Sequence, residues 1–254
     1  MAKITVANLN QDSSGRIDGL TSSPPAAVTT VIETGGLSLK LHQLACADGA
    51  SLAWAPPASD LCIYVLEGGV ELDGGTIAAG GCAVVEHGSN ATMQANAETR
   101  LAVFENLEPA GKSGGAVHFI PAEQVPDNRG NVPETDLAAS ALMADASCDS
   151  CDLWLHANWF PEGMTVGLHS HTEDEIILIT RGEIVLGPRR YGAGTAVSVA
   201  KNAKYTFTAG TGGMDMVNFR AGSPLSIQAK TNRVIKEGEF FVSRCGRPEH
   251  SYVQ

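Results

Sequence analysis

A gap-free internal repeat is the feature that most constrains the fold of this chain. When the sequence is shifted by 114 residues, glycines of the second half fall on glycines of the first: Gly163 on Gly49, Gly182 on Gly68 and Gly194 on Gly80. Apolar positions repeat at the same offset, with Leu153 on Leu39 and Leu155 on Leu41. Glycine supplies turn conformations that other residues avoid. Turn glycines repeated between short apolar runs therefore predict two copies of one β-rich unit.

The repeat divides the 254 residues into two predicted domains, 1–112 and 116–254. The stretch 108–115 is rich in Gly, Pro and Ser and is the natural linker between them. An apolar content of 43% suffices for a sizeable core, and the 28 glycines break short Val, Ile, Leu and Thr runs. These features predict an all-β chain with only short helices. The longest helix signal covers 134–144.

The stretch from Gly163 to Gly182 has a pattern typical of a metal site. His169 and His171 are one residue apart, so in a strand both side chains point to one face. Glu175 follows after enough residues for a turn into the neighbouring strand. Two imidazoles and one carboxylate suit Fe(II), Mn or Zn and leave coordination positions open.

The spacing G-x5-H-x-H-x3-E-x6-G resembles the first signature motif of the cupin superfamily. The resemblance implies two tandem jelly-roll barrels, a bicupin, with His169, His171 and Glu175 holding the metal inside a barrel mouth. The family's second motif, G-x5-P-x-G-x2-H-x3-N, supplies a fourth ligand. Here its last four anchor positions hold other residues, namely Ala200, Asn202, Tyr205 and Ala209. Tyr205 is then a fourth ligand, a hydrogen-bond partner of a metal-bound water, or a space-filling side chain.

The first half of the repeat keeps the turn glycines but not the ligands. The positions that match His169, His171, Glu175 and Tyr205 hold Ala55, Pro57, Leu61 and Ala91. We therefore expect a degenerate, metal-free N-terminal barrel and one divalent transition metal per chain, in the C-terminal barrel.

Strand parity extends the predicted site. If Glu175 points inward, Ile177 and Ile179 do as well and form an apolar floor. Phe207 shares a face with Tyr205 and is either an aromatic wall of the pocket or plain core. Trp159 either lines the mouth or packs between the barrels. The predicted substrate pocket comprises these four residues: Ile177, Ile179, Phe207 and Trp159.

An open three-ligand metal in an apolar barrel suits three functions. We expect first an Fe(II)-type dioxygenase that acts on a small oxygenated organic compound, with Tyr205 as general acid/base or fourth ligand. The alternative is an isomerase, lyase or hydrolase that depends on Mn, Ni or Zn. The third is a barrel that binds or senses a small molecule without catalysis, since the fold does not choose the chemistry.

Charge and cysteine usage limit the remaining possibilities. A net charge of −11 argues against a nucleic-acid partner. No apolar run reaches membrane-spanning length and no secretory signal is recognisable, so we expect a cytoplasmic protein without a membrane partner. A homodimer is expected because pairing covers exposed strand edges.

Cys148 and Cys151 form a lone C-x2-C motif, which is interpreted as two ordinary thiols, with a metal or redox role as the minority alternative. His118 is interpreted as a surface or satisfied core residue.

Overall fold

Antiparallel strands in three sheets account for almost all regular structure of the described residues. The computed structural model describes residues 3–254 except 12, 34, 56, 110, 130–138, 146, 223–226 and 230–233. In the first half the strands are β1 (Ile4–Asn8), β2 (Leu20–Ser23), β3 (Ala27–Ile32), β4 (Leu39–Cys46), β5 (Ser51–Trp54), β6 (Asp60–Glu67), β7 (Gly69–Leu72), β8 (Gly75–Ala78), β9 (Cys82–Val85), β10 (Ala91–Ala95), β11 (Thr99–Asn106) and β12 (Val117–Ile120).

Among the described residues, the second half begins with a 3-10 turn at Ala122–Gln124, continues with strands, and has one helix before its last strand. Its elements are β13 (Ala139–Ala144), β14 (Leu153–Phe160), β15 (Thr165–His171), β16 (Glu175–Leu186), β17 (Arg189–Gly192), β18 (Thr195–Val199), β19 (Tyr205–Ala221), β20 (Ile227–Ala229), β21 (Val234–Ile235), helix α1 (Glu237–Cys245) and β22 (Ser251–Tyr252). The predicted all-β class with short helices is confirmed.

The sheets form two barrels. The N-terminal barrel is made of a five-stranded sheet, β2-β5-β10-β7-β8, and a seven-stranded sheet, β22-β12-β9-β6-β11-β4-β3. The C-terminal barrel is one ten-stranded sheet built along the order β1-β18-β16-β19-β15-β20-β21, with β13, β14 and β17 attached to it. Each barrel encloses its own apolar cluster.

The chain ends cross over between the barrels. Strand β1 pairs with β18 of the C-terminal barrel, and β22 pairs with β12 in the seven-stranded sheet of the N-terminal barrel. Strand β12 itself pairs with β9. The predicted domains 1–112 and 116–254 therefore do not coincide with the sheets at these three strands. Each crossing strand covers a sheet edge that would otherwise be unpaired.

A third apolar cluster joins the barrels. It contains fully buried side chains from both halves, including Leu41, Phe104, Leu155, Leu178 and Phe219. The rings of Phe104 and Phe219 stack with centroids 5.0 Å apart. Because both barrels contribute to one continuous core, the barrel-to-barrel interface is part of the folding core.

Two of the repeated glycines have the same structural role in each barrel. Gly68 and Gly182 have φ values of 73° and 74°. A Cβ atom at either position would collide with neighbouring backbone, that of Glu98 just before β11 in one barrel and that of Gly213 on β19 in the other. Their repetition reflects a backbone requirement.

The helix expected over 134–144 is wrong where the structure describes that stretch. Residues 139–144 form β13, which pairs with β14, and all of its residues are buried. Residues 134–138 lie outside the described residues. The alanines that favour a helix locally are here the small side chains that fit between two barrels, so packing outweighs the local preference.

Truncating the shared core should unfold both barrels together. We expect Phe219→Ala to lower the free energy of unfolding by about 3–5 kcal/mol, because a fully buried ring is lost from a packed interface. Phe240→Ala, at an aromatic residue that is 37% exposed, should cost about 1 kcal/mol or less. Urea unfolding monitored by circular dichroism measures both values. Equal losses in the two variants would contradict the shared core.

Candidate functional site

The charged end of the C-terminal barrel is built by alternation along the first residues of β16 and the last residues of β19. On β16, Glu175, Ile177 and Ile179 point into the barrel, whereas Ile176 and Leu178 belong to the core between the barrels. On β19, Asn218 and Arg220 are buried beside Glu175, with Glu175 and Arg220 as Cα partners across the strands. Period-two geometry thus places every second residue of two adjacent strands in the site.

His171 and Glu175 converge at one end of the barrel. His171 Nε2 and Glu175 Oε2 are 3.7 Å apart, and both side chains are almost completely buried. Asn218 donates a hydrogen bond of 2.8 Å from Nδ2 to Glu175 Oε2. Glu175 Oε1 has no hydrogen-bond partner among the described protein atoms.

A buried guanidinium lies between these two side chains. Arg220 is 2% exposed. Its Nε is 3.4 Å from Glu175 Oε2, and its Nη2 is 3.4 Å from His171 Nε2. The cation next to the predicted ligands is thus a side chain of the protein itself.

Helix α1 adds a second carboxylate to the site. Its first residue, Glu237, contacts Arg220 Nη1 through Oε2, and the same oxygen is 3.3 Å from His171 Nδ1. One turn later, Phe241 packs on Trp154 and His156, with ring centroids 5.5 Å and 4.3 Å away. The helix thereby closes this end of the barrel with one charged and one aromatic side chain.

His169 and Tyr205 complete the cluster. Their ring centroids are 4.3 Å apart, and their residues are Cα partners on β15 and β19. His169 Nδ1 lies 2.8 Å from the Gly167 carbonyl oxygen, so this nitrogen carries the proton and Nε2 keeps its lone pair. The Tyr205 hydroxyl is 3.4 Å from His171 Nε2. Tyr205 thus contacts the two predicted histidine ligands.

The predicted ligands, as placed, do not fit a three-ligand metal centre. Ligand atoms that share one ion at 2.0–2.2 Å cannot be more than about 4.4 Å apart. In the described part of the chain, one set of His, Cys, Asp and Glu side chains has three or more ligand atoms within 4.8 Å, and His169, His171 and Glu175 are not in it. A divalent ion 4 Å from Arg220 would also be repelled by about 8 kcal/mol at an effective dielectric of about 20.

Burial and charge determine the protonation of this cluster. Burial alone would raise the pKa of Glu175 and Glu237, but the charges of His171 and Arg220 hold the pKa of both carboxyl groups below the usual value. Burial lowers the pKa of His169. Burial and the nearby Glu175 carboxylate raise the pKa of Tyr205. The site holds two carboxylates, a guanidinium, a neutral His169 and a protonated phenol.

The predicted pocket residues divide between two places. Ile177, Ile179 and Phe207 lie together with Tyr205 in the core of the C-terminal barrel. Trp159 does not join them. It packs against the core between the barrels, with the Arg129 guanidinium 4.5 Å from its ring centroid. Successive side chains of β14 point to opposite faces, and it is the next residue, Phe160, that faces the barrel interior.

A second cluster has the geometry of a metal site. The ligand atoms of Glu86, His118, Cys148 and Cys151 all lie within 4.8 Å of one another, and all four residues are buried. Glu86 follows β9 directly, His118 is on β12, and the two cysteines lie between β13 and β14. The structure therefore offers a possible site for one metal ion, at a place that the sequence motif does not indicate.

The two thiols of this cluster differ in acidity. Hydrogen bonding to Cys151, supported by His118 and Ser150, lowers the pKa of Cys148 to about 2, and the same contact raises the pKa of Cys151. Burial disfavours a charged His118, yet hydrogen bonds to Cys148 and Glu86 raise its pKa to about 9. In the sequence, the C-x2-C spacing of Cys148 and Cys151 is the one pattern that points to this cluster. No motif marks Glu86 or His118 as a ligand.

Solved structures share the fold at low sequence identity. Protein Ylba from E. coli is 12% identical, with a TM-score of 0.66 over 92% of this chain and 93% of that one. A mutant of oxalate decarboxylase from Bacillus subtilis is 11% identical, with a TM-score of 0.62 over 86% and 77%. A proposed dioxygenase from Nostoc punctiforme is 10% identical, with a TM-score of 0.60 over 87% and 83%. No family model and no curated protein matches the sequence.

These structures are cupin-fold proteins, and the two barrels described above have the same architecture. The chain thus has the fold of a duplicated cupin, as its glycine repeat and its first motif predicted. At identities of 10–12% the likeness establishes the fold and not the reaction.

Among the residues that the structure describes, no helix has the length and apolar character needed to span a membrane.

The buried charge cluster should give the protein a characteristic pH dependence. Folding lowers the pKa of Glu175 and Glu237, so both groups stabilise the folded state above their unfolded pKa of about 4.3, and this stabilisation is lost as the pH falls. In Arg220→Gln the carboxylates lose their cation, and burial raises both pKa values. This variant should lose about 3–5 kcal/mol at pH 7 and recover part of it at acidic pH.

Unfolding by urea at a series of pH values tests this expectation. The matched control is Arg181→Gln, which removes an arginine that is 69% exposed and paired with Asp215, and should cost less than about 1 kcal/mol at every pH. Parallel pH profiles for Arg220→Gln and the wild type would show that Arg220 is not the counter-charge of the two carboxylates.

Proposed function

We propose that the C-terminal barrel binds a small organic acid and that Arg220 recognises its carboxylate or enolate group. The observation that carries this proposal is the buried Arg220 guanidinium, which lies against His171, Glu175 and Glu237. A buried arginine is an effective anchor for a planar oxyanion, because its fork of N–H donors matches a carboxylate.

The contacts of Glu237 support the choice of a carboxylate ligand. Glu237 approaches Arg220 and His171 with one oxygen, although it belongs to the terminal helix and not to the barrel wall. Its carboxylate is a built-in example of the group that the site accepts. An external acid of the same chemistry makes the same contacts when it replaces Glu237 and α1 moves away from the barrel end.

The walls around the charged group select for a small molecule with an apolar body. Ile177, Ile179, Val197, Val199 and Phe207 form the adjoining core. A few polar groups at one end of an apolar interior are typical of small-molecule sites. Tyr205, which is protonated, donates a hydrogen bond to an anionic oxygen in this arrangement.

Competition by Glu237 gives the first test. Binding of acetate, malonate and pyruvate is measured by calorimetry for the wild type, Glu237→Gln and the matched control Glu239→Gln, which changes an exposed glutamate of the same helix. Glu237→Gln should bind at least one of these acids about tenfold more tightly than the wild type, because the competing internal carboxylate is gone. Glu239→Gln should bind like the wild type.

A second variant keeps this test decisive. Arg220→Lys retains the charge but not the paired donors and should weaken binding about tenfold or more. If none of the three acids binds to the wild type or to Glu237→Gln, the proposal is overturned. It is also overturned if Arg220→Lys binds as tightly as the wild type.

A metal-dependent oxygenase remains the second candidate. It is favoured by the orientation of His169, whose Nδ1 is bonded to the Gly167 carbonyl oxygen so that Nε2 keeps its lone pair, as in metal-binding histidines. Similarity to a proposed dioxygenase and to oxalate decarboxylase is compatible with it. With Fe(II) the ion would supply oxygen chemistry, and with Mn, Ni or Zn it would supply Lewis-acid chemistry for an isomerase, lyase or hydrolase. Either ion requires Arg220 to leave its present position.

Metal analysis of untagged protein distinguishes the two candidates. The dioxygenase is favoured by two results together: the protein contains iron that is lost in the double variant His169→Ala with His171→Ala, and it takes up oxygen in the presence of a catechol or a diketone. Mn, Ni or Zn lost in the same variant without oxygen uptake would favour the second metal-dependent class. Organic-acid binding without a metal in the C-terminal barrel is supported if this double variant has the same metal content as the wild type and Glu237→Gln binds carboxylates.

A further inference from the structure

The cluster of Glu86, His118, Cys148 and Cys151 is separate from the barrel site. Its residues come from three segments of the chain that lie far apart in sequence. Each residue is at most 5% exposed. Burial of four ionisable side chains in one place is costly unless a partner compensates them. The composition of the set, two thiols with one imidazole and one carboxylate, indicates what that partner is.

The interatomic distances match a tetrahedral ion. Zinc bound at about 2.3 Å from sulfur and 2.0–2.2 Å from nitrogen and oxygen places its ligand atoms about 3.2–3.8 Å apart. His118 Nε2 lies 3.2 Å from Glu86 Oε1, 3.7 Å from Cys151 Sγ and 3.9 Å from Cys148 Sγ. Cys148 Sγ is 3.4 Å from Glu86 Oε1. Four of the six separations are thus 3.2–3.9 Å, close to those of one coordination tetrahedron, and the other two are within 4.8 Å.

The surrounding hydrogen bonds hold the ligands in this arrangement. The Cys151 backbone N–H donates to Cys148 Sγ at 3.4 Å, across the C-x2-C turn. Glu86 Oε1 accepts a bond from Ser150 Oγ at 2.8 Å, and Oε2 accepts one from the Ala116 backbone N–H at 3.0 Å. Outer contacts of this kind orient metal ligands and are part of the affinity of a site.

We propose that Glu86, His118, Cys148 and Cys151 bind one Zn²⁺ ion in a closed, structural site at the junction of the two barrels. Four protein ligands leave no open coordination position, which distinguishes this site from a catalytic zinc centre. Two thiolates select a soft metal, whereas the carboxylate and the imidazole disfavour Cu(I) and iron–sulfur clusters.

The ion joins parts of the chain that belong to different barrels. Glu86 and His118 are attached to adjacent strands of the N-terminal barrel, β9 and β12. Cys148 and Cys151 lie just before β14, the strand that leads into the C-terminal barrel. The ion also lies under the chain terminus, because His250 and Tyr252 pack on the His118 ring with centroids 4.6 Å and 5.2 Å away. Zinc binding therefore stabilises the docking of β22 on β12.

Metal content is the direct test. Untagged full-length protein, grown with zinc and purified under reducing conditions, should contain about one zinc per chain by mass spectrometry. Cys148→Ser with Cys151→Ser should lower zinc content at least about tenfold. Cys245→Ser, at a thiol outside the cluster, should keep it. His169→Ala with His171→Ala should also keep it, so failure of this proposal is distinguishable from failure of the barrel proposal.

A measurement on wild-type protein avoids dependence on variant folding. Removal of zinc with a chelator and addition of Co²⁺ should produce intense thiolate-to-cobalt absorption with one equivalent bound. Loss of zinc should also speed up proteolysis of the chain after residue 246 at least about tenfold. Absence of both zinc and cobalt binding in reduced wild-type protein would overturn the proposal. So would a Cys148–Cys151 disulfide in the protein as isolated, since it would identify the pair as a redox couple.

Discussion

The alternation of side chains along β14, β16 and β19 determines how the two barrels and the barrel site coexist. Odd and even positions of these strands serve two different cores: Leu155, Leu178 and Phe219 enter the core between the barrels, while Glu175 and Arg220 enter the barrel. A shift of one residue in register would exchange the two sets and bury charge between the barrels. The apolar interface therefore fixes the register that assembles the polar site.

The buried charge of Arg220 changes the chemistry that the histidine motif alone suggests. In the motif, His169, His171 and Glu175 are candidate ligands for an external cation. In the folded chain, His171 and Glu175 already face a cation that β19 supplies, and Glu237 adds a second carboxylate to it. Moving such a guanidinium away would leave two buried carboxylates without a partner unless another cation replaced it. Metal binding and arginine placement are thus competing ways to neutralise one site.

The sequence predicted what depends on local backbone geometry and missed what depends on distant pairing. Gly68 and Gly182 repeat because a strand passes too close for a side chain, so a fixed offset revealed the duplicated barrel. Arg220 lies 45 residues after Glu175 and is outside any motif of that segment, so its role depends on the β16–β19 pairing. Likewise, the C-x2-C pair gained meaning when the fold brought in His118, 30 residues before Cys148, and Glu86, 62 residues before it.

The two sites are connected by the last segment of the chain. Glu237 fixes the start of α1 at Arg220, Arg247 is bonded through Nη1 to Asp145 Oδ2 at 2.6 Å, and Tyr252 lies on His118. Asp145 precedes Cys148 by three residues, so the middle contact is attached to the same connection as the thiols. An ion that orders this connection also shortens the free chain that ends at α1, which lowers the entropy cost of keeping Glu237 in the barrel. If both proposals hold, occupancy of the junction site and access to Arg220 are coupled through one stretch of backbone, with the junction ion favouring the position of Glu237 beside Arg220.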